Sequence, residues 1–177
     1  MGSSAQDFQP RKGVPGGDFM RKNQSGFSLI ELLLVVAIIL IIAAIAVPNY
    51  VRSRMRANEA SAVASLRLID TSVVTYSITY PNQGFAAQLT NLGGANPCTA
   101  SSSQACLIDN VLASGAKSGY TFVWSGDGAT PSVTFTLTAA PQVLGASGQR
   151  MFCLDQSGEI RYDPSGSGCT SASAVIQ

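Results

Sequence analysis

The feature that most constrains this chain is a long apolar run. From Phe27 to Val47 every residue is hydrophobic except Ser28 and Glu31, and Pro48 follows. As an α-helix these 21 residues would rise about 31 Å, roughly the hydrocarbon thickness of a bilayer. The chain can therefore span a membrane once. Glu31 sits near the start of that span. An acid there costs about 2.5–3.5 kcal/mol unless it has a partner, which marks Glu31 as functional rather than incidental. A plain signal anchor with a tolerated acid is the competing reading. A cleaved secretory signal fits less well, because its apolar core would be shorter, about 7–15 residues, and would end in small residues.

The flanks sharpen the reading. Arg21 and Lys22 precede Gly26-Phe27-Ser28-Leu29-Ile30-Glu31, and the apolar run follows at once. This pattern resembles the processing site of type IV pilins and their relatives, the pseudopilins. The resemblance implies a membrane-embedded prepilin peptidase that cuts after Gly26 on the cytoplasmic side and methylates the new N-terminal Phe27. It also implies that Glu31 pairs with the N-terminal amine of a neighbouring subunit during assembly. The chemistry agrees, since a desolvated carboxylate is tolerable when paired with an ammonium. The match covers the leader and the N-terminal helix well, and the C-terminal half only in outline.

Residues 1–26 are polar, Gly-rich and basic, and read as a cytoplasmic leader that is removed. That leader is long for the family. Met20 through Gly26 alone would make a normal short one, so Met20 is a candidate start. Positive charge before the span favours an N-terminus in the cytoplasm. Arg52, Arg54 and Arg56 beyond the span argue the other way, and the processing motif decides the orientation. The expected location is the inner membrane before assembly, single-pass with the N-terminus inside, and the cell-surface pilus afterwards.

Pro48 removes a backbone donor and crowds the preceding turn, so a helix break, as a kink or loosening near Ala44–Val47, is expected; many pilins carry a proline near this place. Beyond it, Ala62, Leu66, Ile69, Val73, Tyr76 and Tyr80 recur at three or four residues, which predicts an amphipathic helix facing a sheet. Arg52, Arg56, Glu59 and Arg67 fall largely on other faces and read as solvent or subunit contacts, with Arg56 and Glu59 able to pair at i,i+3. Pro81-Asn82-Gln83-Gly84 ends the helix. Residues 85–119 are rich in loop signals, with a brief helical turn expected over Leu107–Ser114. Four strands are expected over 120–125, 133–138, 150–155 and 159–162, with Val133, Phe135 and Leu137 on one face. Trp124 and Phe152 are expected in the core. The predicted fold class is α+β: a long N-terminal helix, membrane half and amphipathic half, packed on a roughly four-stranded antiparallel sheet. The divisions are leader 1–26, span 27–47, amphipathic helix 48–80, connection 81–119, and sheet with C-terminal region 120–177.

The four cysteines, Cys98, Cys106, Cys153 and Cys169, lie past the span, with no Cys-x-x-Cys and no histidine in the chain. A head outside the cytoplasm favours disulfides. Of the three possible pairings the two local ones, Cys98–Cys106 and Cys153–Cys169, are expected, with long cross-pairing left open. Many type IV pilins pin the C-terminal region with a disulfide, whereas pseudopilins of type II secretion more often use calcium there. Asp155, Glu159 and Asp163 could bind calcium in principle but read better as turn and strand-edge residues, so no metal or other cofactor is expected.

No nucleophile comes with a plausible base, and no Gly-rich phosphate loop follows a strand, so the chain does not read as an enzyme. Net charge is +1, and without Arg11, Lys12, Arg21, Lys22, Asp7 and Asp18 of the leader 7 basic and 8 acidic side chains remain. That near-neutral balance gives no case for DNA as a partner. The resemblance implies a homopolymer of the chain itself, made with an assembly platform and ATPase and serving adhesion or motility as a major pilin. A pseudopilin or minor pilin of a secretion-like or DNA-uptake system is the alternative. Electron conduction through Phe27, Tyr50, Tyr76 and Tyr80 is a weaker reading, since such spacing more often means packing.

Overall fold

A computed structural model describes residues 26–176. The rest of the expected leader, including Met20, lies outside the described residues. The chain divides into two compact units, Met1–Leu40 and Ile41–Gln177. Helix α1 runs Leu29–Thr79. In the first unit its described residues are all exposed.

In the second unit α1 continues without interruption through Pro48, so the break expected there does not end the helix. A proline forfeits one backbone hydrogen bond and crowds one carbonyl, and the helical turns on either side carry the helix across. The inward stripe is as expected: Ala62, Leu66, Ile69, Val73 and Tyr76 are buried, and Tyr80 is half-buried. The stripe begins one turn earlier than expected, at Glu59, which is buried. Glu59 therefore does not face solvent and does not pair with Arg56.

The connection 81–119 is more ordered than a bare loop. It holds a 3-10 turn at Leu89–Leu92 and a short helix α2, Asn110–Ala113. Asp109 caps α2 by accepting from the Leu112 N–H at 2.9 Å, and Lys117 pairs with the same carboxylate at 2.8 Å.

The sheet has six antiparallel strands in chain order rather than four: β1 Ala116–Lys117, β2 Tyr120–Gly126, β3 Phe135–Pro141, β4 Met151–Asp155, β5 Arg161–Asp163 and β6 Ala174–Val175. The two added strands are two-residue edges with no hydrophobic alternation to announce them. Alternation holds in the centre. Tyr120 and Phe122 of β2, Phe135, Leu137 and Ala139 of β3, and Phe152 and Leu154 of β4 are buried. Register stacks Phe122, Ala139, Phe152 and Tyr162 across four strands. These side chains and the α1 stripe form one core, giving an α+β pilin-like fold. Phe152 is fully buried, while Trp124 is half-buried and stacks on Phe135 with ring centroids 4.6 Å apart.

Val133 does not join that face. It is 66% exposed and precedes β3. The Asp127 carboxylate accepts from the N–H groups of Val133 and Thr134 at 2.9 and 3.1 Å, holding both in the turn. Those donors are therefore committed to a side chain rather than to a strand ladder.

Candidate functional site

The N-terminal segment is built from few contacts. Gly26, Phe27 and Ser28 precede the helix, and the Ser28 carbonyl accepts the Leu32 N–H at 3.2 Å, closing the first turn. Glu31 sits in that first turn, where the free N–H groups favour negative charge. Phe27 is 78% exposed and Glu31 is exposed. A Cβ added at Gly26 would meet nothing within 4 Å. The fold of the described residues therefore does not require glycine there. Leu29 through Val47 present large exposed apolar side chains, and α1 is long and apolar enough to cross a membrane.

A second cluster ties α1 to the sheet. Glu59 Oε1 accepts from the N–H groups of Gln149 and Arg150 at 2.9 and 3.2 Å, and Oε2 accepts from the Arg150 guanidinium at 2.9 Å from Nε. The other guanidinium nitrogen contact is 2.8 Å. Arg150 also lies over the rings of Phe152 and Tyr162, 5.5 and 5.6 Å from their centroids. Burial pushes the Glu59 carboxyl up, but the Gln149 N–H, the Arg150 side chain and the Arg150 N–H outweigh it, so its pKa lies below the ordinary value. Tyr120 Oη donates to the Arg150 carbonyl at 2.8 Å, and Asn58 Nδ2 donates to the Ser147 carbonyl at 2.8 Å. A Cβ on Gly148 would collide with the Tyr120 hydroxyl. The segment before β4 is thus held to the helix at several points. Sequence reasoning missed this cluster. The available signal was that Glu59 falls three residues before Ala62, in register with the inward stripe.

The cysteines form Cys98–Cys106 and Cys153–Cys169, with Cα atoms 6.1 and 5.7 Å apart. Gly94 leaves room for the first pair, since a Cβ there would collide with Cys98 Sγ. The acids considered for calcium are engaged locally. Asp155 accepts from Ser157 N at 2.9 Å, and Glu159 pairs with Arg161. Asp163 accepts from Ser165 Oγ, Ser167 N and Gly168 N at 2.6, 3.0 and 3.2 Å. Led by the Ser165 hydroxyl, these donors hold the Asp163 pKa down at about 2. They behave as turn residues. Tyr76 is buried and donates to the Ser102 carbonyl at 2.6 Å, a packing role.

An exposed apolar helix whose first turn carries an acid, together with a small disulfide-stapled α+β fold, is the arrangement that the resemblance to pilins implies. The comparisons make this more specific. Residues 21–47 match the family model for the prokaryotic N-terminal methylation motif. The chain is 51% identical over 45 residues to the type IV wide pilus major component PilA4 of Thermus thermophilus, covering 25% of this chain and 34% of that one. It is 47% identical over 47 residues to the type IV major pilin protein PilA of Myxococcus xanthus, covering 27% of this chain and 21% of that one. The chain thus spans about a third and a fifth of the lengths of these relatives. No solved structure matches the chain significantly. The resemblance read from the sequence is thus supported: residues 21–47 carry the prokaryotic N-terminal methylation motif, and about a quarter of the chain is similar to type IV major pilins.

Proposed function

We propose that the chain is the major subunit of a bacterial type IV pilus, made as a precursor that a prepilin peptidase cuts after Gly26 and methylates on Phe27. The observation that carries this reading is the match over residues 21–47, whose Gly26 has no packing role in the fold. Before assembly the precursor waits in the inner membrane, spanning it by 27–47 with the leader in the cytoplasm. A platform protein and ATPase then move subunits from the bilayer into a filament serving adhesion or motility.

The apolar helix exchanges lipid for the helices of its neighbours, so burying it gives little net hydrophobic gain. A polar contact in that dry environment can therefore set the register. Glu31 has an exposed carboxylate, and the neighbour's Phe27 ammonium supplies the partner it needs. Glu31→Ala is expected to be inserted and cleaved normally and to form few or disordered filaments, counted by electron microscopy of sheared fractions. Normal filaments from that variant would remove Glu31 from assembly.

A further inference from the structure

Arg52, Arg54 and Arg56 follow the apolar run closely. All three are exposed, and among the described residues none forms an ion pair. The sequence holds no acid between Glu31 and Glu59, and Glu59 is already neutralised by Arg150. At 3.6 residues per turn, Arg52 and Arg56 lie about 40° apart around the helix and Arg54 about 160° from both. Positive charge thus lies on two opposite sides of α1 and does not mark a single face, which a one-sided protein contact would use.

The position along the axis names the partner. Arg52, Arg54 and Arg56 lie about 7.5, 10.5 and 13.5 Å past Val47 at the helical rise. One leaflet's headgroup layer is about 5–8 Å thick. Helical side chains tilt toward the helix N-terminus, here back toward the apolar run. That tilt carries the nearer guanidinium groups into the headgroup layer and the third to its outer surface. Tyr50, 67% exposed, sits between the run and the arginines, at the level where interfacial aromatics collect.

We propose that Arg52, Arg54 and Arg56 form a collar that binds the phosphates of anionic phospholipids in the leaflet next to residues 48–176. The proposal rests on the reading of 27–47 as a membrane span. Guanidinium forks match phosphate oxygens in a bidentate way. An anionic surface attracts each nearby arginine, and salt screens that attraction. This function also accounts for positive charge on the side of a span where it is usually sparse. A subunit leaving the bilayer must release these lipids, so the collar holds back extraction until assembly compensates for it.

The test uses the full chain in phosphatidylcholine vesicles containing a trace of spin-labelled phosphatidylglycerol or, in parallel, spin-labelled phosphatidylcholine. Electron paramagnetic resonance reads the fraction of each label immobilised by the protein. The expected preference for the anionic label is about fivefold or more at low salt, the effect of at least one arginine, and it falls toward unity at high salt. The R52Q/R54Q/R56Q variant should show no preference at any salt, while keeping the wild-type Trp124 fluorescence melt and its resistance to alkaline carbonate extraction. Equal immobilisation of both labels by an extraction-resistant wild-type protein overturns the proposal alone, as does a preference that survives in the triple variant. Equal immobilisation combined with loss of filaments in that variant overturns it in favour of a second copy of the chain. Release of the wild type by carbonate overturns the span reading and the collar together.

Discussion

Glu59→Ala is the most informative perturbation of the fold. The carboxylate is 8% exposed and holds two backbone N–H groups and one guanidinium, whereas the Arg150 side chain is 43% exposed. Breaking a buried pair from one side costs about 3–5 kcal/mol when the remaining charge stays dry. Here Arg150 can rehydrate, which lowers that figure. The stranded N–H groups of Gln149 and Arg150 cost about 1 kcal/mol each at the low end. The sum is about 2–4 kcal/mol, or roughly 10 °C in Tm for a unit of this size. Glu59→Gln keeps an oxygen for the two N–H groups and loses only the charge facing Arg150, so it should fall between Ala and wild type. The assay is thermal unfolding of the full chain in detergent micelles with disulfides intact, followed through Trp124, the single tryptophan. The pH dependence follows from the depressed pKa. The Glu59 contribution is complete above the unfolded value, about 4.3, and is lost as pH falls through the lower folded value. Wild type and Glu59→Gln should therefore differ most at neutral pH and converge in acid. A Glu59→Ala protein melting within about 2 °C of wild type would show that this cluster does not hold the segment before β4 to the helix.

Replacing Cys153 and Cys169 together by serine opens a loop with a sequence separation of 16, and denaturant unfolding should register a loss of about 3 kcal/mol. Losing the Cys98–Cys106 bridge, with a separation of 8, should cost about 2.5 kcal/mol by the same measure. Tyr120→Phe removes one buried hydrogen bond to the Arg150 carbonyl and should lower stability by about 1 kcal/mol in the same titration. Gly26→Ala should leave the melting curve unchanged, because nothing packs there, while immunoblots show the uncleaved precursor accumulating. Unchanged processing would move the cut elsewhere.

The residues that sequence reasoning placed correctly are those whose signal is periodic or local. The α1 stripe from Ala62 to Tyr76 and the alternation of Phe135 and Leu137 each repeat at the period of their element. The local disulfides needed only proximity in the chain. What escaped depends on contacts distant in sequence. Glu59 meets Gln149 and Arg150 about ninety residues away, and an acid on a helix carries no mark of such a partner. Val133 alternates correctly with Phe135, yet Asp127 claims its N–H for the turn. Strands β1 and β6 are two residues long and owe their existence to their neighbours. Pro48 is expected to kink or loosen one long helix, not to end it, and α1 runs through it over 51 residues. The segment around Gly26, Phe27 and Glu31 is legible in another way: it falls within the motif matched over residues 21–47, and nothing packs against Gly26.

The most direct test of the account is the intact mass and N-terminal sequence of the protein in filaments sheared from cells. The account predicts a dominant species that begins at methylated Phe27 and is four hydrogens lighter than the reduced chain, as two disulfides require. A dominant species still carrying residues 1–26 would contradict it.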